Sequence, residues 1–593
     1  MGEASVLAER SACGRRWRLR PADFEEIRRL SLRLGLPEIV ARLLAQRGLD
    51  CDHAPSFLEP RLRDHLPEPL HLRDMERAVA RLVAAIEGGE RIAVFGDYDV
   101  DGATAAALLL RFLAAVGAPT RLYVPDRLDE GYGPNAPALL RLREEGVRVV
   151  VTVDCGTTAH QPLAAAAAAG LDIVVVDHHV AEPLLPRAAA IVNPNRLDET
   201  SPHGDLAAVG VAFLLVIALN RALRQAGWYR GARAEPDLLA WLDLVALGTV
   251  CDVVPLVGLN RAFVAQGLKL ARSSANPGLK ALAAVAGIKE PLDAYHLGFV
   301  LGPRVNAGGR VGAAELGARL LATDDPSVAA ELAQRLDGYN RERREIEART
   351  LAAAIAAVEA TPQSPVLAFA AAPGWHPGVI GIVAARLKER YQRPACVVAI
   401  ADGIGKGSGR SIAGLALGPA VIAARQAGLL INGGGHAMAA GFTVAADKLE
   451  ALRLYLAERL GDGLDGERLV PELIIDGFLS PGAASAELVR HVAALAPFGA
   501  ANPEPRFAFA PVRVLHAEPV GGEHLRCTLA DPLGPARLRA IAFRASASPL
   551  GRFLAETRGS AIQVAGRLRH DSWQGGGAVE LVVDDAAPAP PRP

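Results

Sequence analysis

The chain has 593 residues, 51% apolar and 22% charged, with mean hydropathy +0.20. That excludes a disordered chain, and at roughly 150 residues per domain it also excludes a single core. The balance of 64 basic against 65 acidic residues excludes a generally basic, DNA-coating protein, but not a local acidic site beside a local basic channel. Of the basic residues 58 are arginine; a GC-rich genome explains this as readily as function does, although guanidinium forks suit phosphate. The six cysteines (Cys13, Cys51, Cys155, Cys251, Cys396, Cys527) form no C-x-x-C pair or cluster, which fits a reducing cytosol and a cytoplasmic protein. The N-terminus carries no apolar signal-peptide core, and the apolar stretch 206–219 is shorter than the ~20 residues of a membrane span, so it is expected to be a buried helix.

Residues 73–88 have apolar positions at helical spacing and stop at Gly88–Gly89. RIAVFG (91–96) is a short apolar run of strand type, followed by the acidic loop DYDVDG and a helix over 103–117. The cycle repeats with strands at 120–126, 147–154 and 171–177, a shorter one near 188–195, and helices near 135–145 and 161–170. Apolar strands alternating with helices imply a parallel sheet covered on both faces, which binds ligands outside the carboxyl ends of its strands. Helices follow at 209–225 and 236–248, then a long charged one at 326–360. A second α/β unit opens at 364 and closes near Arg459. After Gly466, short strands separated by Gly, Pro and Asp turns suggest a small β-barrel such as an OB-fold, ending in a disordered tail.

Four groups of metal-ligating side chains follow apolar strands or helices: Asp97, Asp99 and Asp101; Asp154; Asp177, His178 and His179; and Asp252. In a parallel sheet the first three groups converge on one edge. Carboxylates brought that close repel unless divalent cations cancel the charge. Mixed carboxylate and imidazole ligands suit manganese, with magnesium the harder alternative. Two such ions lower the pKa of an attacking water and stabilise charge on a phosphoryl group. Each piece alone is compatible with a turn aspartate, a helix cap or a structural histidine; the combination points to metals.

Candidate phosphate contacts lie further on. GPRVNAGGR (302–310) offers Arg304, Asn306 and Arg310 among glycines whose backbone N–H groups suit an anion. GIGKGSGRS (403–411) offers Ser408, Arg410 and Ser411, and is not a Walker A loop. INGGGHAMAAGF (431–442) presents His436 before a small-residue segment read as a helix whose N-terminus holds phosphate. Trp375 and His376 open a further helix, Trp375 being either a base-stacking or a buried ring. In the barrel region, Arg506, Arg526, Arg537, Arg539, Arg567 and Arg569 interleave with Phe507, Phe509, Phe543 and Trp573, as in a single-strand groove or a solvated barrel surface.

The motifs GDYDVDG (96–102), VDCGT (153–157), DHH (177–179) and GTVCDVVPL (248–256) resemble the four motifs of the DHH phosphoesterase superfamily. Together with GPRVNAGGR, GWHPGVIGIVAARL, GSGRS, GGGH, the FLEPRL…LPEPLHLRDMERAVARL segment and PFGAANPEPRF (497–507), the chain resembles the RecJ family over nearly its whole length. Ala208 stands where that family often has glycine, and Gly308 where alanine is common. The resemblance implies an α/β fold. It comprises an N-terminal segment packing on the catalytic domain (1–72), a DHH phosphoesterase domain with a parallel sheet (73–325), a connecting helix (326–360), a smaller α/β DHH-associated domain (361–462), an OB-fold (467–587) and a tail (588–593).

It also implies Mn2+ or Mg2+ held by Asp97, Asp99, Asp101, Asp154, His178 and Asp252, with His179, Asp154 and Asp177 catalytic. DNA contacts are expected from Arg304, Asn306, Arg310, Trp375, His376, Ser408, Arg410, Ser411 and His436. The implied activity is 5′→3′ hydrolysis of single-stranded DNA to 5′-mononucleotides by two metal ions, in recombination and repair, with no membrane. Implied partners are a helicase and a single-strand-binding protein, and the default oligomeric state is a monomer. Rival readings are a DHH-family phosphodiesterase of short oligoribonucleotides or cyclic dinucleotides, an inorganic pyrophosphatase of the superfamily, and an inactive DHH scaffold that binds single strands.

Overall fold

The computed structural model describes residues 7–589 apart from 128, 232, 274–275, 361–365, 462–469 and 572–576. The chain forms two units: Pro60–Leu464 with Gly499–Ala501, and Met1–Glu59 with Asp465–Phe498 and Asn502–Pro593.

The larger unit is built on a five-stranded parallel sheet. Its strands, in chain order, are Arg91–Gly96, Thr120–Tyr123, Val147–Val153, Asp172–Val176 and Ala190–Val192; in space the first lies between the second and the third. Alternate side chains serve opposite faces. Ile92 and Val94 join one core with the helices Val100–Ala115, Ala208–Gln225 and Leu242–Cys251, while Ala93 and Phe95 join another under Ala136–Glu144 and His160–Ala168. Helix Ala208–Gln225 is long and apolar enough to cross a bilayer, but 72% of it is buried in this core. Because the strand order reverses between the first and third strands, a crevice opens outside their carboxyl ends.

Helix Pro326–Ala360 has 35 residues, about 52 Å at 1.5 Å each. It places Leu332 and Leu336 in the core of the parallel sheet, and Ala354 and Val358 in a core with Ile380, Val383 and Leu387 of the following region. That region has a mixed sheet in the order Asn432–His436, Ala439–Ala445, Ile404–Arg410, Ala395–Ala401, Ala368–Pro373. The last two strands pair in parallel and the others are antiparallel. The expected helix after the triple glycine is absent: residues 432–445 form a hairpin that adds two strands to this sheet. Pairing with Ile404–Arg410 outweighs the helix propensity of the alanines.

In the smaller unit, Phe507–Val520 pairs with His524–Ala530 and also with Ala561–His570, which closes a barrel completed by Arg537–Ala542 and Val579–Pro588. Phe507 and Phe509 fill its core, and Phe543 is 45% exposed. Trp573 and residues 590–593 of the tail lie outside the described residues. The N-terminal segment departs from expectation: up to Glu59 it belongs to this unit rather than to the catalytic one. Strand Arg16–Leu19 pairs in parallel with Glu472–Ile475. The apolar stripes of helices Phe24–Leu34 and Glu38–Ala45 put Ile27, Leu30, Val40, Leu43 and Leu44 into the barrel core. The fully buried Asp585 accepts hydrogen bonds from Ser11 Oγ and Trp17 Nε1 at 2.6 and 3.1 Å.

Candidate metal centre and phosphate site

Strand Arg91–Gly96 delivers Asp97 to the crevice, where its N–H bonds the Val153 carbonyl of the third strand at 3.3 Å. Asp99 caps helix Val100–Ala115, accepting from Gly102 N at 3.0 Å. Residue 102 must be glycine, because a Cβ there would lie 2.7 Å from Asp97 O and 2.8 Å from Asp97 N. Asp101, 1% exposed, accepts from Ala208 N at 2.6 Å and Val209 N at 2.9 Å, the amino end of helix Ala208–Gln225. Asp154 ends the third strand with φ 61°, a left-handed conformation that strains a residue with a Cβ. Asp252 closes helix Leu242–Cys251, and the next residue, the β-branched Val253, also has φ 61°.

The fourth strand supplies the histidines. His178 Nε2 lies 3.3 Å from Asp154 Oδ1 and 4.0 Å from Asp101 Oδ2, and its Nδ1 lies 3.6 Å from Asp252 Oδ2. Asp177 points away from this cluster. One oxygen accepts from Thr157 N at 3.1 Å, and the other accepts from His178 N and meets His179 Nδ1, both at 2.8 Å. Asp177 thus orients His179 and leaves its Nε2 free. The Asn193 side chain donates to His179 O at 2.9 Å, and that of Asn195 donates to His178 O at 2.5 Å.

Five carboxylates and an imidazole therefore meet, with atoms of Asp97–Asp99–Asp154 and of Asp101–His178–Asp252 each within 4.8 Å of one another. Burial, then the charge of Asp99, pushes the Asp97 carboxyl up to about 8 and that of Asp252 to about 7. Burial and neighbouring aspartates hold Asp101 and Asp154 well above the usual range. Burial opposes the charged form of His179, but its hydrogen bond to Asp177 outweighs this and raises it to about 9. Burial and the charge of His179 lower His178. Asp97 Oδ1 and Asp252 Oδ2 are buried without a hydrogen-bond partner. Such orphaned acceptors among mutually repelling acids fit one or two hard divalent cations.

Beside this centre lies a cluster of cations. Burial, then the charge of Arg127, lowers both Arg310 (to about 10) and Arg410. Arg127 sits 5.0 Å over the ring of Tyr98, which lies between Asp97 and Asp99 in sequence. Among the described residues none of the three arginines is ion-paired with a carboxylate: Arg310 donates to Gly378 O at 3.1 Å, and Arg410 to Ser408 Oγ at 3.1 Å. Arg127 and Ser408 also line a cavity of about 350 Å3 with Lys406 and Asn432. Unpaired, partly desolvated guanidiniums make a site for a highly charged anion.

The other candidates are placed less directly. GPRVNAGGR is a helix, Gly302–Val311, not an anion-cradling loop. Its glycines allow close packing, since a Cβ on Gly309 would lie 2.8 Å from Tyr98 O and one on Gly308 2.7 Å from Ala313 O. Arg304 on this helix is engaged by Asp337 at 3.0 Å, and Asn306 is half-buried. Ser411 is buried with its hydroxyl donated to Leu415 O at 2.6 Å, so it has no proton left for a phosphate. His376 Nδ1 accepts from Gly378 N at 3.0 Å in the turn before helix Ile380–Tyr391, and Trp375 packs half-buried against that helix's core. His436 is exposed at the end of its strand. In the barrel, Arg506 and Arg567 pair with Asp584, Arg569 with Glu580 and Arg539 with Asp571.

Sequence reasoning missed Arg127 and Tyr132. Arg127 follows the carboxyl end of the second strand, the rim that carries the aspartates, and that placement could have found it. The Tyr132 hydroxyl donates to Asp154 O at 2.8 Å and lies 3.4 Å from His179 Nδ1; no spacing in EGYGPN signals this.

Three family models match the chain: the DHH family N-terminal domain over residues 91–249, the DHHA1 domain over 363–462 and the RecJ OB domain over 475–585. The single-stranded-DNA-specific exonuclease RecJ of Dickeya dadantii is 39% identical over 570 residues, spanning 93% of this chain and 96% of that protein. The Escherichia coli protein of the same name is 37% identical over 564 residues, with the same shares. A crystal structure of RecJ in complex with Mn2+ from Thermus thermophilus matches with a TM-score of 0.80 at 31% identity, over 98% of this chain and 80% of that one.

Proposed function

The chain belongs to the RecJ family, and from that premise we propose that it is a single-stranded-DNA-specific exonuclease that hydrolyses phosphodiester bonds 5′→3′ and releases 5′-mononucleotides. The observation that carries this reading is the acidic centre lying beside Arg127, Arg310 and Arg410, none of which is ion-paired with a carboxylate among the described residues. A terminal phosphomonoester carries up to two charges and an internal phosphodiester one, so the arginine cluster favours a 5′ end. The bond presented to the acids is then the first one inward, and one nucleotide leaves per cut. Each cut exposes a new 5′-phosphate that suits the same arginines.

Asp97, Asp99, Asp101, Asp154, His178 and Asp252 would hold two Mn2+ or Mg2+ ions, the ions of the matched Thermus thermophilus structures. When bound, they supply an activated water and neutralise charge on the phosphoryl oxygens. His179, held through Nδ1 by Asp177 and pushed toward its charged form by that hydrogen bond, would offer Nε2 to a non-bridging oxygen of the scissile phosphate. Tyr132 fixes the strained Asp154 backbone through its carbonyl. Arg304, Asn306, Trp375, His376 and His436 are assigned to the strand path; Ser411 positions the Arg410 strand end rather than touching DNA.

We place the enzyme in the cytoplasm, in recombination and repair, with a helicase that separates strands and a single-strand-binding protein that covers them. The free cysteines and the nature of the substrate support this placement. The decisive experiment replaces Asp154→Asn or His178→Ala and follows a 5′-labelled single strand with Mn2+. Undiminished release of label overturns the assignment of the site.

A further inference from the structure

Two large aromatic rings stand in solvent on a turn that packs against Val250 and Cys251, the residues just before Asp252. Tyr295 and Phe299 are 63% and 73% exposed, and their rings stack at 5.3 Å with an interplanar angle of 27°. Exposing a contiguous aromatic patch forgoes burial energy, and such patches mark binding surfaces. Phe299 lies in a π-helical turn, His296–Leu301, that Tyr295 opens, and wide turns of this kind recur at functional sites.

The turn runs without a break into helix Gly302–Val311, and this helix passes along the acidic centre. At one end a Cβ on Gly302 would lie 2.5 Å from Cys251 Sγ, the residue before Asp252, and that thiol also reaches Leu297 O at 3.5 Å. At the other end Gly309 packs on Tyr98, between Asp97 and Asp99. Arg310 thus marks the Asp97–Asp99 side and the stacked rings the Asp252 side. Phe299 and Arg310 are eleven positions apart, roughly 16 Å along the axis. Val253, next to Asp252 in sequence, is a further apolar side chain in solvent, 70% exposed. Glu290 and Asp293, which bind His296 at 3.2 and 2.7 Å, flank the rings with negative charge and so disfavour a phosphate backbone against them.

We propose that Tyr295 and Phe299 form a stacking platform for nucleobases on the 3′ side of the scissile phosphate. The proposal rests on the exonuclease reading for its polarity, because a 5′ end held at Arg310 sends the rest of the strand toward Asp252. Stacking on rings is indifferent to base identity, as a strand-degrading enzyme requires.

The test compares 5′-phosphorylated dT20 with the same strand made abasic at its second to fourth positions. Initial rates of terminal nucleotide release are measured at limiting strand concentration with Mn2+. The wild type should be about tenfold slower on the abasic strand, the low end of what one base stacked on a ring provides. Tyr295→Ala/Phe299→Ala should cut both strands at the same reduced rate. Tyr295→Phe/Phe299→Tyr should restore the preference, and Tyr295→Leu/Phe299→Leu, which keeps apolar surface without rings, should not. A wild type indifferent to the missing bases, or an alanine variant that keeps the tenfold preference, overturns the platform; a docking patch for another protein gives the first of these results. If the wild type shortens neither strand, the exonuclease reading fails, and fluorescence anisotropy with the same strands decides the platform alone.

Discussion

Removing the divalent ion should reverse the way pH acts on the stability of the larger unit. In the metal-free fold the Asp252 carboxyl is pushed from 3.8 up to about 7, and Asp97 up to about 8. A folded-state pKa above the unfolded value means that folding takes up protons. The stabilisation is present in full below about pH 4 and is lost as pH rises through 7 to 8. His179, raised to about 9 from 6.5, acts in the same direction over the upper part of that range. For Asp252 alone this amounts to about 4 kcal/mol, a large share of a typical stability of ~5–15 kcal/mol. Bound cations need the ionised carboxylates, so their stabilisation should grow over the same interval. The assay is thermal unfolding in EDTA and in saturating Mn2+ at pH 5.5, 6.5, 7.5 and 8.5. The melting temperature in EDTA should fall with pH, and the gap between the two conditions should widen. Asp252→Asn should flatten the EDTA curve. A gap that stays constant from pH 5.5 to 8.5, or metal-free protein that gains stability with pH, would refute the picture of crowded, desolvated acids awaiting cations.

Asp177→Ala leaves the cation ligands in place but frees His179; hydrolysis should drop by roughly 10–100-fold while Mn2+ affinity, read by calorimetry, changes much less. Arg310→Gln should weaken recognition of a 5′-phosphorylated strand by about tenfold or more and narrow its advantage over a 5′-hydroxyl strand, measured as kcat/KM for each. Gly102→Ala drives a methyl into the Asp97 backbone and should destabilise the larger unit by roughly 1–3 kcal/mol in urea melts, with Mn2+ binding impaired alongside.

Much of this centre was legible because buried parallel strands are almost wholly apolar, so the first polar residue after each stands out. Asp97, Asp154 and Asp177 mark three strand ends in this way, and strand ends in a parallel sheet converge. What pattern could not give was the division of labour among them. Asp177 differs from Asp154 in facing the backbone N–H groups of Thr157 and His178, a matter of three-dimensional orientation. Glycine-rich stretches misled most. In 302–311 glycine permits helix packing at the distance of a peptide group where composition suggests a loop, and in 432–445 it permits a flat hairpin where the small residues suggest a helix. The N-terminal helices are amphipathic, but nothing in a stripe of Ile27, Leu30 and Leu44 names the surface that covers it.

That surface has a consequence for biosynthesis. Helices Phe24–Leu34 and Glu38–Ala45 share a core with the last quarter of the chain, so a ribosome must add some 400 residues before they can dock there. At about 5–20 residues per second that is roughly 20–80 s during which their leucine faces stay uncovered while the intervening unit folds. Such a delay favours chaperones that shield apolar segments, and a chain truncated before the barrel should leave that apolar stripe without its cover.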